Sequence, residues 1–309
     1  MPYYYNDLKP TIKYENNLIE SPILGDNNFY HVNDVIDNVK YPIEIHKSTF
    51  IYINHYDNLI CKDNDDKKLL NEIFNCKRES RMGNDNSEDA LTWNVFRSIE
   101  KNKDIDLMLT KMLGFGVTNS RIIYWSYDSR TNGNYKRLVD ARNMCHENFK
   151  SGTEPDLIIE CDQAIISIEA KFTSSNKTSK DDLIVLQRYQ NNNKYLKLFK
   201  KDMRMISMKE FKIEKYELAR NWLLGEYLRE NKKFVLVNLV REEAEKNIEL
   251  VMNDIVITDE NHCFVRATWE WIYSFCRTSQ NNYNNLLYYF ENKTIGYSNE
   301  GLLRKAFNL

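Results

Sequence analysis

Glu154-Pro-Asp-Leu-Ile-Ile-Glu-Cys-Asp-Gln-Ala-Ile-Ile-Ser-Ile-Glu-Ala-Lys-Phe172 is the stretch whose reading decides the fold. Leu157 to Cys161 is a short apolar run. Asp162-Gln163 supplies a tight turn, and Ala164 to Phe172 is a second run rich in Ile. Two such runs around a two-residue turn predict a β-hairpin. With that turn, Cys161 faces Ala164, and the register counts outward from there. Asp156 then lies opposite Glu169, and Glu154 opposite Lys171. Opposed residues on one sheet face have Cβ atoms about 4.5–5.5 Å apart. Two carboxylates that close repel unless a cation sits between them, and a divalent metal is the expected one. Lys171, two residues beyond Glu169, shares its face.

Pro155-Asp156 followed by Glu169-Ala170-Lys171 resembles the signature of the PD-(D/E)XK, restriction-endonuclease-like, nuclease superfamily. The resemblance covers the middle third of the chain. It implies that Asp156 and Glu169 hold Mg²⁺, with Mn²⁺ able to substitute. It also implies that the Ala170 carbonyl is a further ligand, and that Lys171 orients or activates the attacking water.

Working outward, Ser87-Glu-Asp-Ala-Leu-Thr-Trp-Asn-Val-Phe-Arg-Ser-Ile99 reads as a helix. Ser87 suits the N-cap, and Glu88 and Asp89 suit the positive end of the helix dipole. Glu88, Leu91, Val95 and Ile99 fall on one stripe. Many members of the superfamily carry a glutamate on the helix before the metal hairpin. The resemblance therefore adds Glu88 to the candidate acids; the plainer alternative is a capped amphipathic helix.

The 309 residues suffice for a full core, and the formal charge of -2 argues against a passive basic nucleic-acid coat. A metal-dependent nuclease is compatible with that balance, because a bound ion supplies local positive charge. The cysteines at 61, 76, 145, 161, 263 and 276 form no C-x-x-C pair, so a structural zinc site is not expected. Cys161 and Cys263 read as small buried residues. Cys145-His146 invites a thiol-protease idea, but the five histidines show no supporting spacing. With no secretory segment and no long apolar run, the expectation is a soluble, reduced, cytoplasmic protein that engages no membrane.

Residues 1–80 read as an irregular N-terminal extension with a few strands, among them Thr49 to Ile53, and a helix from Leu69 to Cys76. Arg78 to Asn86 reads as a polar linker. Residues 81–309 read as the nuclease-like domain, with a core over 87–241 and C-terminal helices over 242–309. Expected helices lie at Ile105–Leu113, Leu138–Phe149, Asp181–Lys201, Lys209–Glu230, Glu242–Asn253, Thr268–Arg277 and Tyr283–Glu291. Strands are expected at Ile122–Tyr127 and Phe234–Val240, the latter a continuous apolar run but for Asn238, as in a strand covered on both faces. The order predicts an α/β fold with a central mixed sheet flanked by helices.

From Lys194 to Arg220 there are nine basic residues to four acidic. Lys194, Lys197, Lys200 and Lys201 are candidates for tracking phosphates; solvated helix faces are the alternative. Gln187 is a further candidate. It follows the Glu-x-Lys strand, where exonuclease-like members of the superfamily place Gln-x-x-x-Tyr, but here Tyr189 stands two positions on and the spacing departs. The reading is thus a Mg²⁺-dependent nuclease acting on nucleic acid, DNA above all, in bacterial defence or restriction, and dimeric if it cuts both strands. The alternatives are a catalytically silent binding module of the same fold, an RNase, or a structure-specific resolvase.

Overall fold

The computed structural model describes residues 18–20, 28–31, 50–52, 54–77, 81–147, 154–177, 194–200, 215–297 and 303–309. They fall into two compact units, Met1–Ile105 with Trp269–Leu309, and Asp106–Thr268.

In the first unit, the helix Glu88–Lys101 begins where the sequence places it. The Ser87 hydroxyl accepts from the Ala90 N–H at 3.1 Å, satisfying one of the helix's free donors. Leu91, Val95 and Ile99 are buried. The segment read as a linker is different. Met82 to Asp85 is buried, and Asn58 Nδ2 donates to the Met82 and Asn84 carbonyls at 2.8 and 2.9 Å. Lys293 and Thr294 both hydrogen-bond Asp85. Polar composition suggested solvent exposure, but the polar groups are used internally. Helices Trp269–Thr278 and Asn284–Asn292 match expectation, and Trp269 is fully buried.

The second unit is built on a seven-stranded mixed sheet. Its strands are β1 (Arg121–Tyr124), β2 (Tyr127–Asp128), β3 (Gly133–Asn134), β4 (Leu157–Glu160), β5 (Ala164–Ala170), β6 (Lys233–Val240) and β7 (His262–Thr268). The order across the sheet is β7-β6-β5-β4-β1-β2-β3. β5, β6 and β7 run parallel; β4 pairs antiparallel with β5 and with β1. Every residue of β5, and all of β6 after Lys233, is buried. This is the sheet flanked by helices that the sequence predicts.

Three helices matter here: α1 (Lys136–Met144), α2 (Tyr216–Leu228) and α3 (Ile248–Ile255). α2 lies in the crossover between the parallel strands β5 and β6, as parallel pairing requires. Leu138 and Ala141 of α1, Leu218, Trp222 and Leu228 of α2, and Met252 of α3 pack in one cluster with Ile123, Ile158, Ile165, Leu236 and Phe264 of the sheet. Gly225 lets α2 come close to β6, since a Cβ there would stand 2.1 Å from Phe234 Cζ. Nearby, Glu226 is held down to about 2. Burial pushes it up, but hydrogen bonds from Arg229, His262 and Lys194 outweigh that.

Candidate active site

On β5, Ile165, Ser167 and Glu169 share one face. The observed register pairs Leu157 with Ile168 and Glu160 with Ile165, and Cys161 donates its N–H to the Ala164 carbonyl at 3.0 Å. One step beyond Leu157 brings Asp156 opposite Glu169, the register counted from the turn. On the other side Glu169 pairs with Asn238 of β6. On this face Ile158, Ile165, Phe234 and Leu236 sit in the core. Asp156, Glu169 and Asn238 occupy the end where β5 and β6 finish. Ligands of open α/β sheets bind at such carboxyl ends.

Glu169 is only 7 % exposed, and both its oxygens are engaged. Oε1 accepts from Lys171 Nζ at 2.7 Å, and Oε2 accepts from Asn221 Nδ2 at 2.8 Å. Lys171 Nζ also stands 3.0 Å from Glu217 Oε2. The Lys171 N–H donates to the Leu239 carbonyl at 2.8 Å, so the strand pairing continues through it. Asp156 is anchored through Oδ2, which accepts the Ala170 N–H at 2.8 Å, and through its carbonyl, which accepts from the Trp125 N–H.

A second network lies beside this one. Asn176, in the segment that follows Lys171, donates through Nδ2 to Asn238 Oδ1 and Glu245 Oε2, both at 2.9 Å. Asn238 Nδ2 also donates to Glu245 Oε2. Burial pushes Glu245 up, but these bonds and Lys215 hold it below the ordinary carboxylate range. Glu245 thereby ties the segment after β5, the strand β6 and, through Lys215 at 3.8 Å, the start of α2.

Asp156, Glu169 and the Ala170 carbonyl are hard oxygen donors. Among the described residues there is no cluster of three or more His, Cys, Asp or Glu suited to a metal. An ion here would rest on two carboxylates with carbonyl and water oxygens, a shell that suits Mg²⁺. One buried acceptor fits such a polar site: Asn221 Oδ1, on the residue that holds Glu169, has no hydrogen-bond partner among the described residues.

A family model described as Restriction Endonuclease associating with ARP matches residues 38–293. The chain belongs to that family. No curated protein and no solved structure matches it.

Membership in this restriction endonuclease family bears out the resemblance carried by Pro155-Asp156 and Glu169-Ala170-Lys171. It carries nuclease-like function and nucleic-acid binding with it. No helix among the described residues is long and apolar enough to cross a membrane.

Of the residues named from the sequence, Asp156, Glu169, Ala170 and Lys171 come together on the hairpin. Glu88 opens its helix in the other unit. Lys194 Nζ is 3.1 Å from Glu226 and lies over the Tyr227 ring. Lys197 and Lys200 are exposed; Lys201 and Gln187 lie outside the described residues. Sequence reasoning missed Glu217 and Asn221. Their i,i+4 spacing put both on one helix face, and an asparagine inside Leu-Ala-Arg-Asn-Trp-Leu-Leu was the visible signal. Only the first turn of α2, to Arg220, falls in the basic stretch expected to be solvated or to track phosphates, and most of the helix is buried. Arg220 stands 3.5 Å from Glu147. Cys263, expected buried, is exposed on the outermost strand β7. Cys145 is buried and its thiol is pushed up to about 12 by that burial, so it is no nucleophile.

Proposed function

We propose that this chain is a Mg²⁺-dependent endonuclease-type phosphodiesterase acting on DNA, in bacterial defence. The observation that carries the reading is Glu169 at the end of β5, with Lys171 on its face at 2.7 Å and Asp156 opposite in register. Family membership supplies the nuclease class. Asp156, Glu169 and the Ala170 carbonyl would hold the ion. When bound, the ion lowers the pKa of a coordinated water and polarises the phosphate.

The chain's own residues do the rest. Lys171 presents a cation to the phosphate, where negative charge grows as the bond to the nucleophile forms, so it favours the transition state over the ground state. The Ala170 N–H fixes the Asp156 carboxylate, and Asn221 fixes Glu169. Each is held without a reorganisation cost during reaction. Lys197 and Lys200 are exposed in the same unit and suit contacts to the phosphate backbone.

The test is cleavage of supercoiled plasmid, linear duplex, single-stranded DNA and RNA with Mg²⁺ or Mn²⁺. Nicking or linearisation of plasmid is expected, abolished by Asp156→Ala, Glu169→Ala and Lys171→Ala and by chelation. Activity on RNA alone would overturn the DNA assignment. Plasmid cleavage unaffected by the three substitutions would overturn the site.

A further inference from the structure

We propose that Asn221 and Glu217, one turn apart on α2, are the positioning pair of this site: Asn221 for the ligand Glu169, Glu217 for Lys171. The inference rests on the metal reading above. The Lys171 ammonium touches two carboxylates, Glu169 Oε1 at 2.7 Å and Glu217 Oε2 at 3.0 Å. On Glu169 it competes with any metal ion for the same oxygen. Glu217 offers a second resting place on the helix, so Lys171 can leave Glu169 without leaving the site. Asn221 does the complementary task. It is 2 % exposed, and its Nδ2 holds Glu169 Oε2 at 2.8 Å. That bond fixes the carboxylate's orientation whichever cation takes the other oxygen. Its Oδ1, buried and without a partner among the described residues, is left to accept from a donor that enters the site. Helix and strand are thus matched residue for residue, Glu217 to Lys171 and Asn221 to Glu169. Neither helix residue needs to touch the substrate.

Calorimetric titration of the full chain with Mn²⁺, without nucleic acid, tests this apart from turnover. Asn221→Leu, similar in volume, is expected to weaken Mn²⁺ binding by about 10–100-fold, the range for partners that orient a metal ligand. Glu217→Gln is expected to weaken it about 10-fold, because the second carboxylate that draws Lys171 off Glu169 is lost. The decisive comparison repeats both changes in a Lys171→Met background. There the Glu217→Gln effect should vanish and the Asn221→Leu effect should persist, since only the first acts through the ammonium. A Glu217→Gln loss that persists without the lysine would overturn its role, and unchanged binding in Asn221→Leu would overturn the other. Glu217 is 38 % exposed at its side chain, so that arm stands even where Asn221→Leu does not fold. Asp156→Ala and Glu169→Ala are the controls. If they bind Mn²⁺ as the parent does, the metal reading itself fails; if they lose the ion while the α2 variants keep it, only the positioning pair fails.

Discussion

A carboxylate taken out of water costs free energy unless charge and hydrogen bonds offset it, and Glu169 has an ammonium on one oxygen and an amide on the other. The two can be separated by substitution. Glu169→Ala leaves the Asn221 amide buried with neither polar atom paired, which costs about 1–3 kcal/mol. Glu169→Gln keeps an acceptor for Asn221 and loses only the ion pair, which Lys171 partly recovers from Glu217. In urea denaturation without metal, Glu169→Ala is therefore expected to unfold at lower urea than Glu169→Gln, while neither cleaves DNA. The reverse order would mean that the Asn221 contact contributes nothing. At this scale the hairpin half of the site was legible, because a two-residue turn and a period of two fix every opposed pair from Cys161 and Ala164 outward. The helix half was not. Asn221 lies 52 residues from Glu169 in sequence, and no local pattern tells which face of α2 meets the end of β5.

Elements with one strong period were readable, and elements defined by their neighbours were not. Glu88–Lys101 announced itself through its serine cap and apolar stripe, and β6 through an apolar run interrupted only by Asn238 after Lys233. β7, His-Cys-Phe-Val-Arg-Ala-Thr, has neither clean alternation nor a continuous run, because it is an outer strand paired on one side, to β6. The expected helix from Lys209 has its described start only at Tyr216, and the one from Glu242 only at Ile248. Residues 209–214 lie outside the described residues; at Glu242, charged residues of good helix propensity extend the reading past the point where packing begins. Propensity also fails at Gly225. In an isolated helix, Gly225→Ala would stabilise by about 0.8–1.0 kcal/mol. Here the added methyl would meet Phe234 at 2.1 Å, and that ring is fully buried and packed edge-on against Trp222. Overpacking costs about 1–3 kcal/mol and outweighs the propensity gain. Gly225→Ala is expected to lower the thermal midpoint and, by displacing α2, to weaken Mn²⁺ binding through Glu217 and Asn221. A raised midpoint would show that helix and strand are not in this contact.

For the whole molecule, a formal charge of -2 means that attraction to a polyanion has to be local. Much of the cationic inventory is already matched internally. Lys194 answers Glu226. Arg121, Arg130 and Arg137 all converge on Glu160, which lies at the turn end of β4, four residues or about 13 Å from Asp156. Those arginines hold the far end of the hairpin. Lys197 and Lys200 differ: both are exposed, and neither side chain makes an ion pair among the described residues. If they contact phosphates, each contributes about 0.9 to the slope of log K against log salt. Reversing both, Lys197→Glu with Lys200→Glu, is then expected to flatten that slope by about two. Binding should weaken equally on unrelated duplex sequences, because phosphate contacts carry no base information. Cleavage at saturating DNA should fall far less than affinity, since neither lysine is among the groups around Glu169. Fluorescence anisotropy across a salt series with a catalytically dead Glu169→Gln protein measures this without turnover. A slope unchanged in the double variant would assign both lysines to ordinary solvation.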